Sequence, residues 1–268
     1  MSESERVVAC LSIGSSDSGG GAGVQGDVKA FASVGCFAST VLVGVTAQNT
    51  QGVTGRFTVP VEFVARQLDA VLSDIPIQTI KIGTTWSVEL LTYLSQRLAP
   101  TKLPIVFDPV MVTTAGAALG GEVRAVIACI TSKMVGLSTV LTPNREEAKL
   151  LLSVTDDSVS TRTLAEKLFA LGARSVVVSG HAADVDDWYV DAGRSERVPG
   201  VRYAVDAEHG VGCAHSSMTA GFLALGWPVF EAVVEARRRA GEGVKHGLTM
   251  IGGGRHPVDV LGLRARRV

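Results

Sequence analysis

Short β-branched apolar runs alternate with longer amphipathic segments along this chain, and that alternation constrains the fold more than any other feature. Strands are expected at Val7–Ile13, Thr40–Thr46, Thr79–Ile82, Ile105–Phe107, Thr139–Leu141 and Ser175–Val178. A shorter hairpin-like pair is expected near Trp188–Val190 and Arg197–Val201. Several runs are apolar at successive rather than alternate positions, the pattern of strands covered on both faces of a parallel sheet. Between them, Val61–Asp74 carries Val64, Leu68, Val71 and Leu72 on one stripe, with Glu62, Arg66 and Asp69 away from it. Ser87–Leu98 repeats the spacing through Leu91, Leu94 and Leu98, and Thr163–Leu171 does so through Leu164, Leu168 and Leu171. Ser160 and Thr161 offer capping oxygens where this last helix starts. Another helix is expected from near Val24, and two close the chain around Ser216–Ala224 and Val229–Lys245. The β-α-β-α order predicts an α/β fold, a mostly parallel central sheet with helices on both faces. With no long Pro, Gly and Ser linker and no internal repeat, residues 1–268 are expected to form a single domain.

Composition removes several function classes. With 46% hydrophobic and 19% charged residues the chain is not a disordered one. Lys+Arg of 25 against Asp+Glu of 26 argues against a protein that coats nucleic acid or an acidic membrane. Arg237, Arg238 and Arg239 read as a solvated helix face, Arg264, Arg266 and Arg267 as a frayed tail, and Ala182–Asp187 as a solvated acidic turn. The start, MSESERVVAC, lacks the features of a signal peptide, and uncharged runs fall short of the roughly 20 residues of a membrane span. Four dispersed cysteines, at 10, 36, 129 and 213, read as reduced thiols of a cytoplasmic protein.

Four segments can carry chemistry. Ser15–Gly23 contains Gly19, Gly20, Gly21 and Gly23 between a strand and a helix, leaving amides open to a polar ligand or simply making a flexible turn. It is not a G-x-G-x-x-G set directly at a strand end, and no G-x-x-x-x-G-K-[ST] occurs. His209-Gly210-Val211-Gly212-Cys213 precedes an apolar helix pattern; its amides can form an anion pocket, and a thiol in the first helical turn is expected to have a lowered pKa. The bland alternative is a glycine turn with a buried Cys. Asp108 ends an apolar strand, and Asn144 and Glu147 stand where another strand meets a helix. Such strand ends are where open α/β sheets bind ligands. Asn144 and Glu147 could face one Mg²⁺ ion or water, or serve only as a cap and a solvated first-turn acid.

Taken together these segments resemble the ribokinase-like superfamily, and within it the hydroxymethylpyrimidine and phosphomethylpyrimidine kinases of thiamin biosynthesis. The resemblance runs from about Val8 to Val258 and rests on six segments in order. They are Asp17–Lys29, Ala47-Gln48-Asn49-Thr50-Gln51-Gly52-Val53, Lys81-Ile82-Gly83, Asp108-Pro109-Val110-Met111, Thr142-Pro143-Asn144 with Glu147, and His209–Cys213. It implies a three-layer ribokinase-like fold and transfer of the ATP γ-phosphoryl group to a hydroxymethylpyrimidine or its phosphate. By the same resemblance Asp17, Gly21, Gln48 and Val110 would bind the pyrimidine substrate, with Gln48 reading its amino edge. Asn144, Ser179 and His209 would lie toward ATP, and Asp108 and Glu147 toward Mg²⁺. The amides of Gly210, Gly212 and Cys213 would hold the transferring phosphoryl group, and the Cys213 thiol would take the proton of an attacking hydroxyl. A homodimer is also implied. The chain departs from the pattern at Val211 (usually Thr), Ser179 (usually Lys, in a segment here Ser179-Gly180-His181), Thr84 (usually Met) and Thr114 (often Lys), and Asp206-Ala207-Glu208 lacks the usual Thr. A pyridoxal kinase and a non-catalytic pyrimidine-binding paralogue are the alternatives.

Overall fold

A computed structural model describes residues 7–85, 87–111, 121–180 and 185–264. Thr114, His181, Ala182, Arg266, Arg267 and the N-terminal stretch up to Arg6 lie outside them. The chain runs β1 (Ala9–Asp17), α1 (Gly23–Ser33), β2 (Phe37–Asn49), β3 (Gly52–Thr58), α2 (Val61–Asp74), β4 (Ile77–Ile82), α3 (Val88–Leu98), β5 (Ile105–Phe107). It continues with α4 (Gly121–Cys129), β6 (Val140–Leu141), α5 (Arg145–Leu152), α6 (Thr161–Ala170), β7 (Ser175–Val178), β8 (Asp187–Asp191), β9 (Ser195–Val198), α7 (Val211–Ala224) and α8 (Val229–Lys245). Among the described residues no helix is long and apolar enough to cross a membrane.

All the strands join one sheet in the order β3-β2-β1-β4-β5-β6-β7-β8-β9. The run from β2 to β7 is parallel, and β3, β8 and β9 pair antiparallel at the two edges. The carboxyl ends of the parallel strands therefore share one rim. The chain leaves β1 toward β2 on one side and returns to β4 on the other, which opens a crevice at that rim.

Strand alternation divides the burial between two faces. Leu11, Ile13, Ile80, Ile82 and Phe107 pack with Leu68, Leu91, Leu94 and Leu168 of α2, α3 and α6. Cys10, Val106, Val140, Val177 and Tyr189 face the other way, toward Phe31 of α1, Ala220 of α7 and Val233 of α8. This is the three-layer arrangement. Helix α7 is buried continuously from Ala214 to Phe222, and small residues let it lie close on the sheet. Ser87 and Ser160 cap α3 and α6 by accepting from the N–H of Leu90 and Thr163, each worth about 1 kcal/mol.

Two elements escaped the pattern. Strand β3 is almost wholly exposed and has no alternation; it forms because the Asn49 side chain accepts from the N–H of Gln51 and Gly52 and turns the chain back on β2. Helix α4 passes into a π-helical turn at Ile130–Met134, which shifts its apolar stripe. The Ala182–Asp187 assignment is corrected: Asp187 opens β8 and is fully buried.

Candidate active site

A cleft of about 650 Å³ lies along the rim of strand ends. Asp17, Gln48, Asp108, Val110, Asn144, Glu147, Ser179, His209, Gly210, Gly212 and Cys213 all border it. Gly21 is set just behind this lining, against His209. A Cβ there would lie 2.2 Å from His209 Cδ2, so the missing side chain is the seat of the imidazole. The G-x-G-x-x-G spacing of Gly21, Gly23 and Gly26 starts beyond the end of β1 and runs into α1, so it serves this loop packing.

Asp17 organises the loop that holds His209. Its carboxylate accepts from the N–H of Gly19 (2.8 Å), Gly21 (3.1 Å) and Ala22 (2.9 Å), with His209 Nε2 at 3.2 Å. Burial opposes its charge, but the bonds from His209, Ala22 and Gly19 prevail and hold the carboxyl below the usual range. Gly210 sits at φ +85°, and a Cβ there would come within 2.0 Å of the Gly21 carbonyl oxygen. The two glycine loops thus interlock through backbone that no larger residue could occupy.

Gly210 is also the N-cap of α7 and has no side chain to cap it. Val211 N–H finds Glu208 O and Ala214 N–H finds Gly210 O, but no described hydrogen bond uses the N–H of Gly212 or Cys213. Two amides at a helix N-terminus therefore face the cleft unsatisfied, a cradle for an anion.

Beneath the cradle lies a buried charge cluster. Lys81, 1% exposed, places Nζ 2.9 Å from Asp27 Oδ1 and 3.7 Å from Asp108 Oδ2. Ser12 and Ser217 donate to Asp27 at 2.6 and 2.8 Å, and Ser216 donates to Asp108 at 3.0 Å. Cys213 adjoins this cluster, near Gly23 at the start of α1. Two helix N-termini thus favour the thiolate, yet the expected lowered pKa is not found. Burial pushes the thiol up to about 12; Lys81 pulls it down, while Asp27 and Asp108 raise it further. Burial, the largest of these effects, outweighs the pull of Lys81 and holds the thiol up.

Asn144 and Glu147 come together as a reciprocal cap of α5. Asn144 Oδ1 accepts from Glu147 N–H at 2.8 Å, and Glu147 Oε2 accepts from Asn144 N–H at 2.9 Å. Glu147 is not a solvated acid but 7% exposed. Burial, with Asp108 nearby, pushes its carboxyl up to about 8. The described residues hold no ready-made three-ligand metal site. Two buried carboxyls, each pushed up by burial, nonetheless suit Mg²⁺ arriving with a phosphate, a cation that needs only one or two protein carboxylates.

The sequence reading missed Asp27, Lys81 and Arg237 as site residues. A Lys inside the apolar run Ile77–Ile82 was the available signal for the first two. Arg237 is corrected from solvated to 17% exposed: it reaches inward to the buried Asp187 at 3.0 Å. Arg238 and Arg239 instead pair with Glu235 on α8 itself.

An anion cradle, a paired-carboxylate site and a thiol at the strand-end crevice of a three-layer sheet define a phosphoryl-transfer enzyme of ribokinase-like fold. Residues 17–259 match the phosphomethylpyrimidine kinase family. The chain is 37% identical over 257 residues to a hydroxymethylpyrimidine/phosphomethylpyrimidine kinase of Synechococcus elongatus, covering 94% of this chain and 97% of that protein. It is 39% identical over 233 residues to a thiamine biosynthesis bifunctional protein of Geobacter sulfurreducens, covering 85% of this chain but 47% of that one. Among solved structures it is similar to an ADP complex of Bacillus subtilis pyridoxal kinase, with TM-score 0.89, 26% identity and coverage of 97% and 99%. The chain belongs to the phosphomethylpyrimidine kinase family and is a phosphotransferase.

Proposed function

We propose that this enzyme transfers the γ-phosphoryl group of Mg-ATP to hydroxymethylpyrimidine phosphate. The observation that carries the choice of acceptor is the amide pair of Gly212 and Cys213 at the N-terminus of α7, which has no partner among the described residues, beside a thiol whose pKa burial raises. A thiol held up to about 12 is a poor base for an alcohol at neutral pH. A phosphomonoester acceptor is already ionised and needs only positioning and charge stabilisation, which the amides of Gly212 and Cys213 supply. Gln48, on the cleft wall, offers a donor and an acceptor to an aminopyrimidine edge. Asp108 and Glu147 would hold Mg²⁺, which neutralises phosphate charge when bound, with Asn144 fixing Glu147. Hydroxymethylpyrimidine itself is a slower acceptor in this account.

Pyridoxal is the second acceptor to test, because the similar solved structure is a pyridoxal kinase. ADP release with Mg-ATP and each of the three acceptors, repeated on Gln48→Leu, separates the readings. Turnover of the pyrimidine phosphate lost in Gln48→Leu supports this proposal; turnover of pyridoxal alone, untouched by the substitution, overturns it. The enzyme works in the cytoplasm as a homodimer in this account, supported by four free cysteines and by the exposed Val45, Val53 and Phe57 on β2 and the open edge strand β3. Light scattering on the purified protein tests the dimer.

A further inference from the structure

A nucleoside triphosphate brings several negative charges into a cleft whose floor already holds Asp108 and Glu147. The buried cation there, Lys81, is committed to Asp27 and Asp108. Further positive charge must come from the walls. Arg237 stands on α8 one turn before Gly241, and Ala240, Gly241 and Val244 of that helix border the cleft with Val201 and Tyr203. These form an apolar slot suited to a flat base, beside the Arg237–Asp187 pair.

The guanidinium of Arg237 is fixed before any ligand arrives. Its Nη2 donates to Val185 O at 2.9 Å, and Nε stands 3.0 Å from Asp187 Oδ2. The other Asp187 oxygen accepts from Gly180 N–H at 3.0 Å, immediately after Ser179 at the end of β7. Gly200 leaves the room, since a Cβ there would lie 2.7 Å from Arg237 Nη2. Yet neither Arg237 Nε nor Asp187 Oδ2 makes a hydrogen bond among the described residues; the pair faces off-line. His215 Nδ1 stays 4.0 Å from Asp187 and does not complete it. A buried, half-satisfied ion pair on the wall of a binding cleft calls for a ligand-linked explanation.

We propose that Arg237 is a nucleotide-binding residue, held by Asp187 and Val185 so that its guanidinium donates to the polyphosphate of the bound nucleotide. A planar fork of this kind matches phosphate oxygens, and its anchoring lowers the entropy lost on binding. The inference rests on the kinase reading above.

Calorimetry with Mg-ADP, Mg-ATP and adenosine on the wild-type, Arg237→Met and Arg237→Lys proteins tests it. Arg237→Met is expected to weaken ADP and ATP by ~10- to 100-fold, the worth of a charge-assisted hydrogen bond, while adenosine binding is unchanged. Arg237→Lys should recover part of the loss, and serves if the Met variant is unstable. Equal losses for adenosine and ADP would make Arg237 a mere wall of the slot and overturn the proposal, as would unchanged ADP affinity. A wild-type protein that binds adenosine but neither ADP nor ATP would overturn the kinase reading and this inference together, an outcome distinct from either.

Discussion

A methyl group added at Gly210 or at Gly212 separates scaffold from chemistry, two residues apart. At Gly210 the new Cβ would sit 2.0 Å from the Gly21 carbonyl oxygen, with φ at +85°. Left-handed backbone costs an ordinary residue about 1–2 kcal/mol, and the backbone clash adds to it. A loss of about 3 kcal/mol or more is expected, lowering Tm by about 6–12 °C for a chain of this size. At Gly212 a Cβ meets nothing within 4 Å and φ is not positive. Ala there should raise helix stability by about 0.5–1 kcal/mol. The same methyl projects toward the cleft, where the transferring phosphoryl group would sit against the Gly212 and Cys213 amides. The N–H stays in place, but a phosphoryl group pushed out of reach of it forfeits about 3 kcal/mol, so kcat/KM should fall ~100-fold. Thermal unfolding and ADP release on both variants provide the assay. Gly212→Ala that stays stable and keeps activity within threefold would refute the cradle, and Gly210→Ala that melts like wild type would refute the interlocked loops.

Lys81→Met should destabilise by about 3–5 kcal/mol because it strands Asp27 and Asp108 without their buried cation. In urea unfolding, Asp27→Asn/Lys81→Met should lose clearly less than the sum of the single variants, and additivity would sink the coupling. Burial, with Arg237 nearby, holds His215 down at about 4, so the folded state resists its protonation. Its stabilising contribution is complete above the unfolded pKa near 6.5 and is lost as pH falls to 4, about 3 kcal/mol in all. Asp187, pushed up to about 6 by burial, acts in the opposite sense over the same range. The comparison must therefore be with His215→Asn, over which the wild-type advantage should shrink between pH 7 and pH 4; a constant difference contradicts the assignment. Because a thiol held up by burial is a poor base, Cys213→Ala should lower turnover of either acceptor by less than about tenfold in the ADP-release assay, short of the roughly 100-fold or more of a lost acid–base group, and a loss of that larger size would contradict the assignment.

The layered α/β fold was legible because its strands are doubly buried and its helices carry clear stripes. Val61–Asp74, Ile105–Phe107, Ser175–Val178 and Val229–Lys245 stand where the pattern put them. Strand β3 was not legible, since an exposed edge strand held by an Asx turn leaves no hydrophobic period. The cleft gathers eleven residues at or near the strand ends that local chemistry or family resemblance had singled out, because a parallel sheet brings all those ends to one rim. What local reading could not supply was partnership across the fold. The dipole at α7 argued for a thiolate at Cys213, and burial in the folded chain, with Asp27 and Asp108 nearby, shifts it the other way. Arg237 looked like one of three surface arginines until Asp187, fifty residues earlier, turned out to be buried against it.

The central claim is that the acceptor is a pyrimidine-borne phosphate. Phosphorus NMR of the enzyme with Mg-ATP and hydroxymethylpyrimidine phosphate tests it most directly, because the product bond itself is seen. Loss of the monoester signal and growth of two coupled diphosphate resonances beyond those of ADP is the expected result. A monoester signal that persists while ATP is consumed on another acceptor, or is not consumed at all, would contradict it.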